Sequence, residues 1–190
     1  MPRRIDPVVP VGSLRTAAQP VLPAGELLIR PWAVTDAGAL VTAFSDPAIQ
    51  RWHARTVASE QEAVSMITSY NQAWQRETAA HWAIAGPEVI GRISLRMIDL
   101  VEGFAELAYW VVPSARGRGV AVAAVGAVGE WAFAELGLHR LELDHSVANT
   151  ASCRVAEKAG FAYEGTKRGA ALHTDGWHDM HLHARVNGDA

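Results

Sequence analysis

The 190-residue sequence predicts a single mixed α/β (α+β) domain in which helices flank a mostly antiparallel sheet containing one parallel strand pair. Three observations carry that expectation. Short apolar runs at 81–85, 89–98 and 104–112 are joined through Gly86-Pro87 and a turn at Glu102-Gly103, which gives an antiparallel meander. The third run leads into Arg116-Gly117-Arg118-Gly119, an Ala/Val-rich stretch and another apolar run; strand, turn, helix and strand in that order make a parallel pair. A chain of this length fills one core and is short for two.

Residues 1–24 hold Pro2, Pro7, Pro10, Pro20 and Pro23 with little periodicity and read as an extended or disordered arm, so the domain is assigned to 25–190. Leu27, Leu28 and Ile29 open a first strand over 27–32. A short helix follows at 36–44, ended by Asp46-Pro47. Ser59 before Glu60 and Glu62 marks the start of a helix that continues through Met66, Ile67, Tyr70 and Trp74. These helices frame a mouth for a substrate. After the meander, Val122, Val125, Val128, Ala132 and Leu136 give the helix 120–136 a nearly continuous apolar face, and Gly137 ends it. A strand at 141–144, a helix at 150–159 closed by Gly160, and strands at 161–166 and 177–186 complete the chain.

The glycine turn carries the clearest chemistry. A helix start leaves backbone N–H groups without intrahelical partners and carries partial positive charge, and glycine lets a ligand reach the backbone with no Cβ in the way. Backbone amides of Arg116, Gly117, Arg118, Gly119, Val120 and Ala121 therefore read as a phosphate cradle, and the two arginines point to a polyphosphate compound. A P-loop needs Lys and then Ser or Thr where Val120 and Ala121 stand, which disfavours nucleotide hydrolysis. A dinucleotide fingerprint needs a third glycine after the first strand, whereas this turn lies past the middle of the chain.

The turn fits Arg/Gln-x-x-Gly-x-Gly/Ala, the acetyl-CoA signature of the GNAT superfamily of N-acetyltransferases. Together with 105–113 and with 146–161, which holds Asn149-x-x-Ser152 and Lys158-x-Gly160-Phe161, it resembles the branch containing the ribosomal-protein-alanine N-acetyltransferases. The likeness covers most of residues 26–186. It implies two neighbouring strands that splay apart around the pantetheine arm of acetyl-CoA. It also implies transfer of an acetyl or other short acyl group to a primary amine by direct attack in a ternary complex.

In that reading Trp110, Val111 and Val112 border the arm, and a main-chain N–H of Val111 or Val112 polarises the thioester carbonyl. Asn149 touches the cofactor arm or the substrate, with a helix N-cap as its plain alternative. Glu106 matches a general-base position and Ser152 a proton donor to the leaving thiolate, although water can also serve the thiolate. Phe104, Glu106, Ala108 and Trp110 share one strand face, and apolar neighbours disfavour a charged carboxylate, which suits a base. The alternative for Glu106 is a strand carboxylate paired with an arginine. His53 lies in a region that lines acceptor sites in this fold and reads as a substrate contact, a second base or an exposed histidine. Trp52 and Trp74 are the tryptophans assigned to the acceptor.

The net charge of −3 and the lack of a long basic stripe argue against a nucleic-acid partner. No apolar run reaches membrane-spanning length, and Arg3-Arg4 is followed by Asp6 and Pro7 rather than a signal core, so a cytoplasmic enzyme is expected. The one cysteine, Cys153, cannot form an internal disulfide, in keeping with a reducing compartment. Strand alternation sets His178 on the opposite face from His181 and His183; with no paired cysteines and a cosubstrate that needs no metal, no metal site is expected. A homodimer is compatible with the chain. The acceptor is left open among a peptide N-terminus, a lysine and a small-molecule amine. A non-catalytic CoA-binding regulatory module is the competing class, and the presence of Glu106 and Ser152 argues against it.

Overall fold

The computed structural model of the chain describes residues 5–53 and 55–189. Its strands are β1 (Leu22–Ala24), β2 (Leu27–Pro31), β3 (Ala80–Ala85), β4 (Val89–Asp99), β5 (Phe104–Val111), β6 (Arg140–Ser146), β7 (Ala162–His173) and β8 (Gly176–Val186). They form one sheet in the order β1-β2-β3-β4-β5-β6-β8-β7. All neighbours pair antiparallel except β5 and β6. The helices are α1 (Ala37–Ala43), α2 (Pro47–His53), α3 (Glu60–Gln75), α4 (Val120–Ala134) and α5 (Thr150–Lys158).

The parallel contact is short. β5 and β6 pair only through Phe104↔Arg140, Ala105↔Leu141 and Glu106↔Glu142, after which the strands separate and leave a gap in the sheet. Each face of the sheet has its own apolar layer. One contains Trp82, Leu95, Leu107, Leu141 and the inner residues of α4, such as Val125 and Val128; the other joins Trp32, Leu40, Phe44, Ile67 and Trp110 beneath α1 and α3. Alternation along β5 supplies both layers, with Leu107 turned one way and Trp110 the other.

Four features depart from the sequence reading. Asp46-Pro47 ends one helix and also begins the next, because proline fits a helix's first turn and the Asp46 carboxylate accepts from the Ile49 N–H at 2.9 Å. β7 runs to His173 and meets β8 in a tight turn, so a long hairpin stands where the expected strands end at 166 and resume at 177. Trp74, expected at the acceptor, is a core residue: 4% exposed, it packs against Trp82 and Trp131 and donates its indole N–H to the Ala17 carbonyl at 3.0 Å. Finally, the described part of the N-terminal arm is docked, while residues 1–4, with Pro2 and the Arg3-Arg4 pair, lie outside the described residues. Val9 and Leu14 are fully buried, and β1 joins the sheet edge.

Glu77 explains the docking. Its buried carboxylate accepts the Gly12 N–H at 2.8 Å and the Leu14 N–H at 2.9 Å. Burial pushes that carboxyl up, but the main-chain donors outweigh it and hold the group below its ordinary value. Proline content gives no hint of this contact, because the partner lies 65 residues away. Glu77→Ala strands buried N–H groups and is expected to cost roughly 3 kcal/mol in urea unfolding; a loss below about 0.5 kcal/mol, the scale of a neutral surface change, would show that the arm is not held by this carboxylate.

Candidate active site

Main-chain direction inside the gap follows from the ladder between β4 and β5. The Val112 N–H donates to the Ile90 carbonyl at 3.0 Å, and Trp110 lies opposite Arg92 in the same register. Alternation in an antiparallel ladder then turns the polar groups of Tyr109 and Val111 toward the gap. Val112 is thereby removed as a donor to a ligand, which corrects half of the expected pair. The Val111 carbonyl is already capped by Arg116 Nε at 3.0 Å, so the N–H groups of Tyr109 and Val111 are the donors on this edge that face the opening.

Above the edge, Gly117 (φ 75°) and Gly119 (φ 77°) adopt the left-handed conformation that favours glycine. A Cβ on either would meet no atom within 4 Å, so the ligand side of the turn is open. Gly119 is the N-cap of α4 and contributes no side-chain acceptor, leaving the N–H groups of the first turn free for an anion. The backbone thus fits a diphosphate. The arginine side chains do not add to it as expected. Arg116 is spent on the Val111 carbonyl and on Asp46 at 2.6 Å, while Arg118 is exposed and lies outside the cavity lining. The Asp46 contact fastens the start of α2 to the glycine turn.

A cavity of about 400 Å³ runs from this turn into the gap. Of the residues singled out in the sequence, Trp52, His53, Trp110, Val111, Arg116, Gly117, Gly119, Val120, Ala121, Asn149 and Ser152 line it. Val112, Arg118, Glu106 and Trp74 do not. Asn149 caps α5, its side-chain oxygen accepting from the Ser152 N–H at 3.2 Å, and it faces the cavity from that position. The Tyr109 hydroxyl donates to Ser152 Oγ at 3.1 Å. Sequence reasoning passed over Tyr109, although strand alternation places it on the Val111 side of β5. Burial pushes its phenol up to about 12, against the opposing bond to Ser152, so it remains a proton donor at neutral pH.

The opposite face of β3, β4 and β5 holds a polar group. His81 Nδ1 lies 2.7 Å from Ser94 Oγ, and its ring stacks on Tyr70 with centroids 4.1 Å apart. The Tyr70 hydroxyl accepts from Arg92 at 2.8 Å, and Arg92 is 7% exposed. Glu106 is buried and ion-paired with Arg96, the arrangement named as its alternative. Burial first, and then the Arg92 and Arg96 charges, push both His53 and His81 down to about 3, so both imidazoles are neutral. α2 presents Trp52 beside His173 and His178 of the β7–β8 hairpin, and Arg51 bridges to Asp175 at 2.8 Å.

His178 does lie away from His181 and His183: it bonds Ser146 at 2.7 Å and Asp175 at 2.8 Å and stacks on His173. The sequence reading did not group His145 and Cys153 with His181 and His183; the fold brings them together, the four ligand atoms lying within 4.8 Å of one another.

A helix N-terminus opening onto splayed parallel strands, with donors along one strand edge, defines a binding site for an extended acyl carrier that ends in a polyphosphate. Residues 26–162 match the family described as Acetyltransferase (GNAT) domain, and the chain belongs to that family of acetyl-CoA-dependent acetyltransferases. It is 29% identical to the uncharacterized N-acetyltransferase YoaA of Bacillus subtilis (strain 168) over 153 residues, 78% of this chain and 86% of that protein. It is 34% identical to the ribosomal-protein-serine acetyltransferase of Escherichia coli (strain K12) over 100 residues, 52% of this chain and 55% of that one. Among solved structures, the ribosomal L7/L12 α-N-protein acetyltransferase RimL in complex with coenzyme A superposes with a TM-score of 0.82 at 22% identity, covering 90% of this chain and all of that one (100%). Mycobacterium smegmatis RimJ in complex with CoA-disulfide gives 0.78 at 24%, covering 88% and 86%. Among the described residues, no helix is long and apolar enough to cross a membrane.

Gly119→Ala places a methyl in the open space of the cradle and strains a left-handed residue. Calorimetry is expected to show CoA affinity reduced tenfold or more, about 1.4 kcal/mol, with the circular dichroism spectrum retained; unchanged affinity would remove the diphosphate from this turn.

Proposed function

We propose that the protein transfers the acetyl group of acetyl-CoA to the α-amine of a protein N-terminus, by direct attack in a ternary complex. The observation that carries this reading is the electrostatic character of the face holding His53, His81 and Arg92. Burial and the guanidinium charges of Arg92 and Arg96 keep two imidazoles neutral, and the same surroundings penalise an entering ammonium. An amine must enter neutral to attack. At pH 7, deprotonation costs about 1 kcal/mol for an α-amine but about 4.6 kcal/mol for lysine. Such a site selects the α-amine by roughly 3.5 kcal/mol before any side-chain contact is counted. RimL, an α-N-protein acetyltransferase, and the Escherichia coli ribosomal-protein-serine acetyltransferase, both of which act on proteins, support a protein acceptor.

The backbone of Gly117, Gly119, Val120 and Ala121 holds the diphosphate in this reading, and the acetyl group arrives as an activated thioester. The Val111 N–H is the donor available to the thioester carbonyl. Tyr109 and Ser152 form a hydroxyl pair whose outer member, Ser152, faces the cavity to return a proton to the departing sulfur. His53, held near 3, is a weak base, so the amine proton is assigned to Glu106 through water, with Arg96 fixing the carboxylate. Trp52 on α2 and the β7–β8 hairpin border the route of the acceptor peptide.

Thiol release at pH 7.5 tests the reading with two peptides, one with a free N-terminus and no lysine, the other N-acetylated with one lysine. The free N-terminus is expected to give at least tenfold higher kcat/KM, whereas equal rates or a lysine preference would contradict the acceptor assignment. Tight CoA binding with no release from either peptide would favour the regulatory module. Glu106→Gln is expected to lower kcat about a hundredfold and leave CoA affinity unchanged; equal losses in both would mark Glu106 as structural.

A further inference from the structure

We propose that His145, Cys153, His181 and His183 form a closed site for one divalent ion of the zinc type, tying α5 to β6 and β8. The site is independent of the acetyl-transfer chemistry and does not rest on the acceptor assignment.

Register brings the ligands together. His145 of β6 lies directly opposite His181 of β8, and His183 follows two residues along on the same face, opposite Leu143. Cys153, in the first half of α5, closes the group from above, with Sγ 3.9 Å from His183 Nε2. All four ligand atoms lie within 4.8 Å of one another. Zinc bonds of about 2.0 to 2.3 Å in a tetrahedron set ligand separations of roughly 3.3 to 3.8 Å, so side-chain rotations of about an ångström complete the site.

Unpaired nitrogens are the second observation. His145 is 5% and His183 1% exposed, yet His145 Nε2, His181 Nδ1 and His183 Nδ1 are all sealed from solvent without a hydrogen-bond partner. A single orphaned polar atom of this sort is costly, and three within one cluster of histidines call for a ligand. His145 also shows the outer-sphere pattern of a metal histidine: its Nδ1 donates to the Ser146 carbonyl at 2.9 Å, which leaves Nε2 as the lone-pair nitrogen. Ring packing alone gives a lesser account. His145 stacks on His183 with centroids 5.2 Å apart and Tyr163 adds an edge contact, but apolar residues would fill that space without stranding nitrogens.

The donor set fixes the class of ion. Three imidazoles and a thiolate suit zinc, cobalt or copper and exclude magnesium and calcium, which take oxygen ligands. Cys153 would bind as thiolate, its proton leaving to solvent. Four protein ligands leave no open position, so the ion is structural and stiffens the helix whose first turn carries Asn149 and Ser152 to the cavity.

Untagged full-length protein, stripped with a chelator and dialysed, is titrated with cobalt(II). We expect saturation at one equivalent, with visible bands of tetrahedral cobalt, a sulfur-to-cobalt band in the near ultraviolet, and displacement of both by zinc. Thermal midpoints should rise by about 5 to 10 °C at a hundredfold excess over Kd. Cys153→Ser should abolish the sulfur band and weaken cobalt binding at least tenfold, His183→Ala should remove tetrahedral binding, and His139→Ala, outside the group, should change neither. No saturable band, or the same affinity in Cys153→Ser as in the parent chain, would overturn the site; the serine variant keeps the test open if His183→Ala fails to fold.

Discussion

The separation of β5 from β6 after three paired residues is the constraint on which the rest of the structure depends. A sheet interrupted in its interior exposes main-chain groups that require partners. The chain satisfies some of them itself: Arg116 returns to cap the Val111 carbonyl, and Asn149 closes the start of α5. What remains is the N–H groups of Tyr109 and Val111 along one edge and the free amides at the start of α4. An extended carrier with an anionic end complements both, one as an added strand and the other as an anion at a helix N-terminus.

Arg116 ties the two halves of the site together. One of its nitrogens bonds the strand that borders the gap, and another bonds Asp46 at the head of α2, the helix that brings Trp52 and His53 to the cavity. The glycine turn and α2 are therefore one mechanical unit. Charge is divided along the same line. The free backbone amides lie at the glycine turn, whereas the side-chain cations Arg92 and Arg96 lie on the other face of the sheet, where burial first and then their charges keep His53 and His81 neutral.

Features encoded locally were legible in the sequence. Glycines at 117 and 119 announce a left-handed turn and a close approach, apolar alternation marks the meander, and Gly137 and Gly160 mark the ends of α4 and α5. Features set by distant partners were not. The choice between Val111 and Val112 depends on the register with β4, which shifts by a bulge between Arg96 and Asp99. Arg116 looks like a phosphate ligand until Asp46, 70 residues away, arrives beside it. Trp74 and Trp52 are indistinguishable as residue types, and only the packing of Trp74 against Trp82, Trp131 and the docked arm shows that it belongs to the core. The histidines of β8 gain their significance from His145 and Cys153, which lie on other elements.

The central claim is that the gap edge and the glycine turn together grip one extended thioester carrier. Residue-resolved amide hydrogen exchange, with and without CoA, tests it most directly. The account predicts new protection at Val111 and across Gly117 to Ala121, with Val112, already bonded to Ile90, little changed. Protection confined to residues outside the gap, or none at Val111 under saturating CoA, would contradict it.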